Sequence, residues 1–328
     1  MRARRTARYL FAAAVTAAVL AIAACGSEPS GGGSSGQNLV IGSVVNDMTN
    51  PYLATMAKAE QAAAAKYGMT IHVLSGNANG SISISQQVSD IEQLISQHVS
   101  LILVTPSDPK AIVPAITQAN EAGIPVIAVN TNVDKGAKVV TFVGANDYAY
   151  GVAEGRLTAK ALNGKGNVAL LLGVLGDSPE VLRTEGIKSV LAKYPHIHIL
   201  SSQTDNWINS QCISDVQDLL SKDRGSLDAV VAEGPEIYAG AEYAASHGGG
   251  DIKFIAGDYS KEVEAALKKK VLYGTVDQDP GQQGTLGVQY AHDWLTGHKS
   301  EVPRPQKYTP LPLITQSNVD RYHATWSS

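Results

Sequence analysis

Polar side chains, accompanied by single aromatics, recur at the ends of short Val/Ile/Leu-rich runs. Asn46-Asp47-Met48-Thr49-Asn50-Pro51-Tyr52 follows LVIGSVV, and Asn130-Thr131-Asn132 closes IPVIAVN. Asn206-Trp207 comes shortly after HIHILSS, while Asp258-Tyr259 and Gln278-Asp279-Pro280 close IKFIAGD and LYGTVDQ. An amide donates and accepts, a carboxylate accepts, and an aromatic face covers C–H surface. That mixture suits reversible capture of a small polyhydroxy ligand, a monosaccharide or polyol. Asn and Asp also populate turns and helix N-caps. What singles these residues out is their recurrence at the same end of many strands. Asp258, with no evident arginine partner, fits hydroxyls or a cationic group, so a nucleoside or amine stays open as the ligand.

The runs that carry these residues alternate with helix-length segments. LVIGSVV (39–45), MTIHVLS (69–75), SLILVT (100–105), IPVIAVN (124–130) and KVVTFVG (138–144) make a first set. NVALLLG (167–173), HIHILSS (196–202), LDAVVAE (227–233), IKFIAGD (252–258) and LYGTVDQ (272–278) make a second. Near-continuous apolar strands are buried on both faces, which predicts parallel sheets sandwiched by helices. The fold class is therefore α/β, with two doubly wound parallel-sheet lobes and a seam near Gly144–Asn146. Ligands of such sheets bind beyond the carboxyl ends of the strands, where the polar clusters lie.

Other chemistries lack their residues. The chain has two cysteines, Cys25 and Cys212, too few for a cysteine-based zinc site. Cys212 reads as a small apolar helix residue. His196 and His198 share a strand face without a third ligand at metal-site spacing, so no metal and no cofactor is expected. There is no G-x-S-x-G elbow and no P-loop, and Asp258 is the single carboxylate placed in the cleft, which argues against an enzyme. Lys268-Lys269-Lys270 reads as a helix end, not a nucleic-acid patch. Arg2, Arg4, Arg5 and Arg8 precede an apolar run from Tyr9 to Ala24, the pattern of an export signal over residues 1–24. Ile22-Ala23-Ala24-Cys25 resembles a lipobox, with Cys25 as the lipid attachment, and GSEPSGGGSSGQ (26–37) reads as a flexible tether. Removing the signal takes four of 26 basic residues and none of 30 acidic ones, so the remainder is more acidic than the whole-chain charge of −4 and ill suited to nucleic acid.

Several ordered motifs carry a resemblance over Leu39 to about Ile314. NPYLATMAKAEQAAAAKYG (50–68) is followed by LILVTPSDPKAIVPAITQANEAGIPVIAVNT and GDSPEVLRTEGIKSVL. FIAGDYSKEVEAALKKKVLYGTVDQDPGQQG and a helix ending in Leu295-Thr296-Gly297 complete the series. In this order and spacing they resemble the type I periplasmic sugar-binding proteins, especially the ribose-binding group. The resemblance implies two lobes joined by a three-strand hinge, residues 38–144 plus 279–306 against 145–278 plus 307–328. It also implies a monomer that closes on its ligand and delivers it to an ABC permease driven by a separate ATPase. A ligand-loaded sensor for a chemoreceptor or histidine kinase is the alternative within the same fold. A sugar-responsive repressor would need a helix-turn-helix where the signal and tether stand.

Carried over residue by residue, the resemblance places Asn46, Asn50, Tyr52, Asn130 and Thr131 on the ligand from the first lobe, and Trp207, Asp258 and Gln278 from the second lobe and hinge. Leu53 stands where a second aromatic is common. Asn130 and Thr131 replace an aspartate and an arginine of the ribose pattern, Val181 replaces a second arginine, and Gly234 replaces an asparagine. Arg183 aligns with an arginine not expected in the pocket. Without the charge-assisted forks of the ribose pattern, a sugar alcohol, deoxy-sugar or other sugar fits better than ribose.

Overall fold

The computed structural model describes residues 39–78, 81–223 and 225–328. The expected export signal, the expected lipid attachment at Cys25 and the expected tether lie outside the described residues. The chain runs β1 (Val40–Val45), α1 (Pro51–Lys66), β2 (Thr70–Ser75), β3 (Asn77–Ala78), β4 (Ser81–Ile82), α2 (Ile84–Ser96), β5 (Leu101–Thr105), α3 (Val113–Glu121), β6 (Val126–Val129) and β7 (Phe142–Gly144). It continues through α4 (Asp147–Ala161), β8 (Lys165–Leu172), α5 (Ser178–Leu191), β9 (His196–Thr204), α6 (Asn209–Asp223), β10 (Ala229–Ala232), α7 (Ile237–Ser246), β11 (Lys253–Gly257), α8 (Lys261–Lys268) and β12 (Gly274–Val276). Then come α9 (Pro280–Leu295), β13 (Gln306–Tyr308), β14 (Leu313–Thr315) and a 3-10 turn at Val319–Arg321.

The strands form two six-stranded sheets, ordered β13-β7-β6-β5-β1-β2 and β14-β12-β11-β10-β8-β9. Every pairing within them is parallel except β12 with β14. The central strands β1, β5, β6, β8, β10 and β11 supply most of the strand residues in four apolar clusters, two per sheet. Burial on both faces is what their unbroken Val/Ile/Leu runs require. The edge strands β2 and β9 differ, with half of their residues or more at least partly exposed.

The chain passes between the sheets three times: after β7, after β12 and between β13 and β14. Lys307 and Tyr308, expected in the second lobe, pair with Val143 and Gly144 of the first sheet, so the last boundary falls beyond Tyr308. Among the described residues no helix is long and apolar enough to cross a membrane.

Four helix starts repeat one device, a polar N-cap and, in three of them, a proline in the first turn. Asn50 caps α1 ahead of Pro51, Asp177 caps α5 ahead of Pro179, and Asp279 caps α9 ahead of Pro280. Asn146, read as a hinge or capping residue, caps α4 by accepting from Ala149 N at 3.0 Å. Each cap satisfies backbone N–H groups that the helix itself cannot, and proline loses nothing there. The polar residues after the strands therefore begin helices as well as face the cleft.

Candidate functional site: the cavity between the lobes

A cavity of about 740 Å³ lies where the carboxyl ends of both sheets meet. Its size falls within the range of small-molecule sites, roughly 300–1,000 Å³. Asn46, Asn50, Tyr52, Asn130, Thr131, Trp207, Asp258 and Gln278 are all on its wall, as is Leu53. Val181 and Gly234 are not. Val181 is 40% exposed on α5, while the cavity takes Pro179 and Arg183 from that helix. At Gly234 a Cβ would collide with Glu236 Oε2 and with the Trp207 ring at Cδ1. The position at which the ribose pattern has an asparagine is thus filled by a carboxyl from two residues downstream.

On the first-lobe side the loop after β1 is held by neighbours. Asp47 Oδ1 accepts from Thr49 N, the Thr49 hydroxyl and Asn77 Nδ2 at 2.6–3.0 Å. Asn77 Oδ1 accepts in turn from Met48 N and the Ser75 hydroxyl. The paired β3 and β4 thereby brace the loop next to Asn46, whose Oδ1 is buried without a partner. Asn50 spends its carbonyl on the N-cap bonds to Tyr52 N and Leu53 N. Tyr52 has a buried hydroxyl without a partner, and burial, with Asp258 next, pushes its pKa well up, so the phenol stays neutral.

Asn130 adopts a left-handed backbone conformation (φ 65°), which asparagine tolerates better than most residues. Its Nδ2 donates to Gln283 Oε1 at 3.1 Å, and Gln283 Nε2 donates to Gln278 Oε1 at 3.1 Å. This amide chain runs from the first lobe to the hinge and leaves the Asn130 carbonyl to the Thr131 hydroxyl at 3.3 Å.

The second-lobe side is charged. Asp258, also left-handed (φ 57°), accepts from the Tyr150 hydroxyl at 3.0 Å, and its N–H donates to the same oxygen at 2.6 Å. Burial raises its carboxyl to about 6, against the pull of Arg183, Tyr150 and Gln278. Arg183, expected outside the pocket, lines it. Its guanidinium binds Asp147 Oδ1 through Nε (3.0 Å) and Nη2 (2.9 Å), donates to the Glu233 carbonyl (2.8 Å) and lies 4.2 Å from the Tyr150 ring centre. Gly151 permits this approach, because a Cβ there would strike the Arg183 backbone. Asp177 and Glu236 join Asp258 on the wall, with Asp47 opposite, so the expectation of a single cleft carboxylate is corrected. Burial pushes Asp177 up to about 7 and Glu236 well above the usual carboxylate range. Both follow strands by only a few residues, and a survey of every carboxylate within five residues of a strand end would have found them.

Trp207 (φ 58°) is positioned by Asp205, which accepts its N–H at 3.0 Å, and its ring lies against Gly173, where a Cβ would overlap it. The indole Nε1 has no partner. Cys212 is fully buried in the second-lobe core, and burial drives its thiol far up, so it is no nucleophile. Among the described residues no group of three or more His, Cys, Asp and Glu is placed to hold a metal.

Two three-layer lobes, three crossings and a polar cavity between strand ends define a two-lobed solute-binding protein. The family model "Periplasmic binding protein domain" matches residues 41–299, and the chain belongs to that family. A xylitol-binding protein of Mycolicibacterium smegmatis is 31% identical over 309 residues, 94% of this chain and 85% of that protein. The ribose import binding protein of Bacillus subtilis is 29% identical over 290 residues, covering 88% and 91%. Among solved structures, an ABC transporter solute-binding protein from Bacillus halodurans with bound myo-inositol superposes with a TM-score of 0.79 at 27% identity, covering 87% of this chain and 97% of that one.

Proposed function

We propose that this protein is the lipid-anchored, extracytoplasmic binding component of an ABC importer, and that it captures a neutral monosaccharide or polyol between its lobes. Asn46, Asn50, Tyr52, Asn130 and Thr131 bind from one side, Asp258, Trp207 and Gln278 from the other, and hinge closure buries the ligand. A permease with a separate ATPase then accepts it, Cys25 holds the protein at the membrane, and no bond of the ligand is broken. The observation that carries the ligand class is the mixture of unpartnered buried groups near the cavity. Asn46 Oδ1 needs a donor, Trp207 Nε1 needs an acceptor, and the Tyr52 hydroxyl and the Glu236 carboxyl, which burial keeps protonated, can be either. A hydroxyl answers both demands, whereas an ammonium only donates and would leave the indole N–H unpaired. The relatives named for xylitol and ribose, and the similar structure with bound myo-inositol, support the same class.

A thermal-shift panel of pentoses, hexoses, polyols, nucleosides and amines tests this reading, since a ligand of the native state raises Tm by mass action. The expected result is a shift with one sugar or polyol, recovered chemically unchanged. Shifts confined to nucleosides or amines would overturn the ligand class.

A further inference from the structure

One aromatic on the cavity wall, Trp326, comes from the stretch that follows the last hinge crossing and the last strand. Trp326 belongs to residues 322–328, beyond the 3-10 turn, and its backbone and side chain are held by different lobes. The backbone is bound to the start of α8 in the second lobe. Lys261 N donates to the Trp326 carbonyl at 2.9 Å, and Ala324 N donates to Glu264 Oε2 at 2.8 Å. Ser328 N donates to Glu262 Oε2 at 2.9 Å, and the hydroxyls of Ser328 and Ser260 are 2.8 Å apart.

The indole points the other way. It is 4% exposed and packs in the first-lobe cluster with Leu53 and Met56. Its ring stands edge-on to Tyr52, with centroids 5.5 Å apart and an interplanar angle of 89°. Trp326 and Tyr52 both line the cavity. Parting the lobes while the backbone stays on α8 would pull the indole from Tyr52 and expose both rings to water.

We propose that Trp326 is a clasp and a ligand-binding residue: it bridges the lobes, restrains their opening without ligand, and covers C–H surface of the bound polyol beside Tyr52. Its ring then limits ligand size at the first-lobe end of the cavity, a specificity role that rests on the proposed polyol function. Restraint of opening does not rest on it. A protein whose competent closed form is more populated binds more tightly by the same factor.

The test compares the wild type with Trp326→Ala and Trp326→Leu, the second keeping apolar volume in case the first does not fold. Small-angle scattering without ligand is expected to show a larger radius of gyration in the variants. Titration with xylitol, D-ribose and myo-inositol is expected to show about tenfold weaker binding of whichever the wild type binds, and a relative gain for the largest of the three. Unchanged ligand-free scattering in Trp326→Leu overturns the clasp, and unchanged affinity and ranking overturn the ligand contact. A wild type that binds no sugar or polyol would defeat the polyol reading, while increased scattering dimensions would still support the clasp.

Discussion

The two walls of the cavity are made of different chemistry. The first lobe offers amides, hydroxyls and a neutral phenol: Asn46, Asn50, Tyr52, Asn130 and Thr131, with Asp47 tied up in its own loop. The second lobe offers Asp177, Glu236, Asp258 and Arg183, backed by the buried acids Asp147, Glu154 and Glu233. Neutral groups hold a ligand through bonds of about 0.5–1.5 kcal/mol, and bonds to charged groups contribute about 1.5–3 kcal/mol. The contrast teaches that one wall can align hydroxyls at little electrostatic cost, while the other must hold its charges in a balanced network before any ligand arrives.

Breaking that balance gives the largest expected effect. Arg183→Ala would leave Asp147 buried without its cation and the Glu233 carbonyl without its donor. A loss of about 3–5 kcal/mol in denaturant unfolding is expected, and Asp147→Asn combined with Arg183→Gln should recover part of it. A loss under about 1 kcal/mol would show that the network is not a structural unit.

A smaller effect separates the walls by pH. Burial raises Asp258 to about 6 and Asp177 and Glu233 to about 7 on the second-lobe side. In the first lobe Glu60, on α1 behind the cavity wall, is raised by burial to about 7 although the Ser43 hydroxyl donates to it at 2.6 Å. A raised folded-state carboxyl means that the native chain binds more protons than the unfolded one between the two pKa values, so stability falls as pH rises. Tm is expected to decline between about pH 5 and pH 8, with the loss complete above the folded pKa values. Glu60→Gln should flatten this slope by one group's share and leave the second-lobe part intact. A Tm that climbs steadily over the same interval would contradict the assignment of these acids as buried and raised.

The walls also differed in legibility. Asn46 and Asn130 directly follow apolar strands, so their places on the cavity wall are legible from position. The long central strands were equally plain, because burial on both faces leaves unbroken Val/Ile/Leu runs. Of KVVTFVG only Phe142–Gly144 joins the ladder, and β13 and β14 leave no long apolar run to read, being three residues each and close to prolines. On the second-lobe side Asp258 and Gln278 follow strands just as plainly, but other groups of that wall arrive from inside helices and loops. Arg183 enters from the second turn of α5, whereas Val181, two residues earlier, points outward. Glu236 occupies space beside Gly234 that no alignment of single positions reveals. Trp326 lies far from every strand end and reaches the cavity only through the tertiary fold.

The most direct test titrates the protein at pH 7.5 with xylitol, D-ribose and myo-inositol, comparing wild type with Asp258→Asn and Asn130→Ala. One-to-one binding of at least one ligand is expected, weakened about 10–150-fold by Asp258→Asn and only about 2–13-fold by Asn130→Ala. Equal losses in the two variants, or an affinity that Asp258→Asn leaves untouched, would contradict a ligand held chiefly by the charged wall of the second lobe.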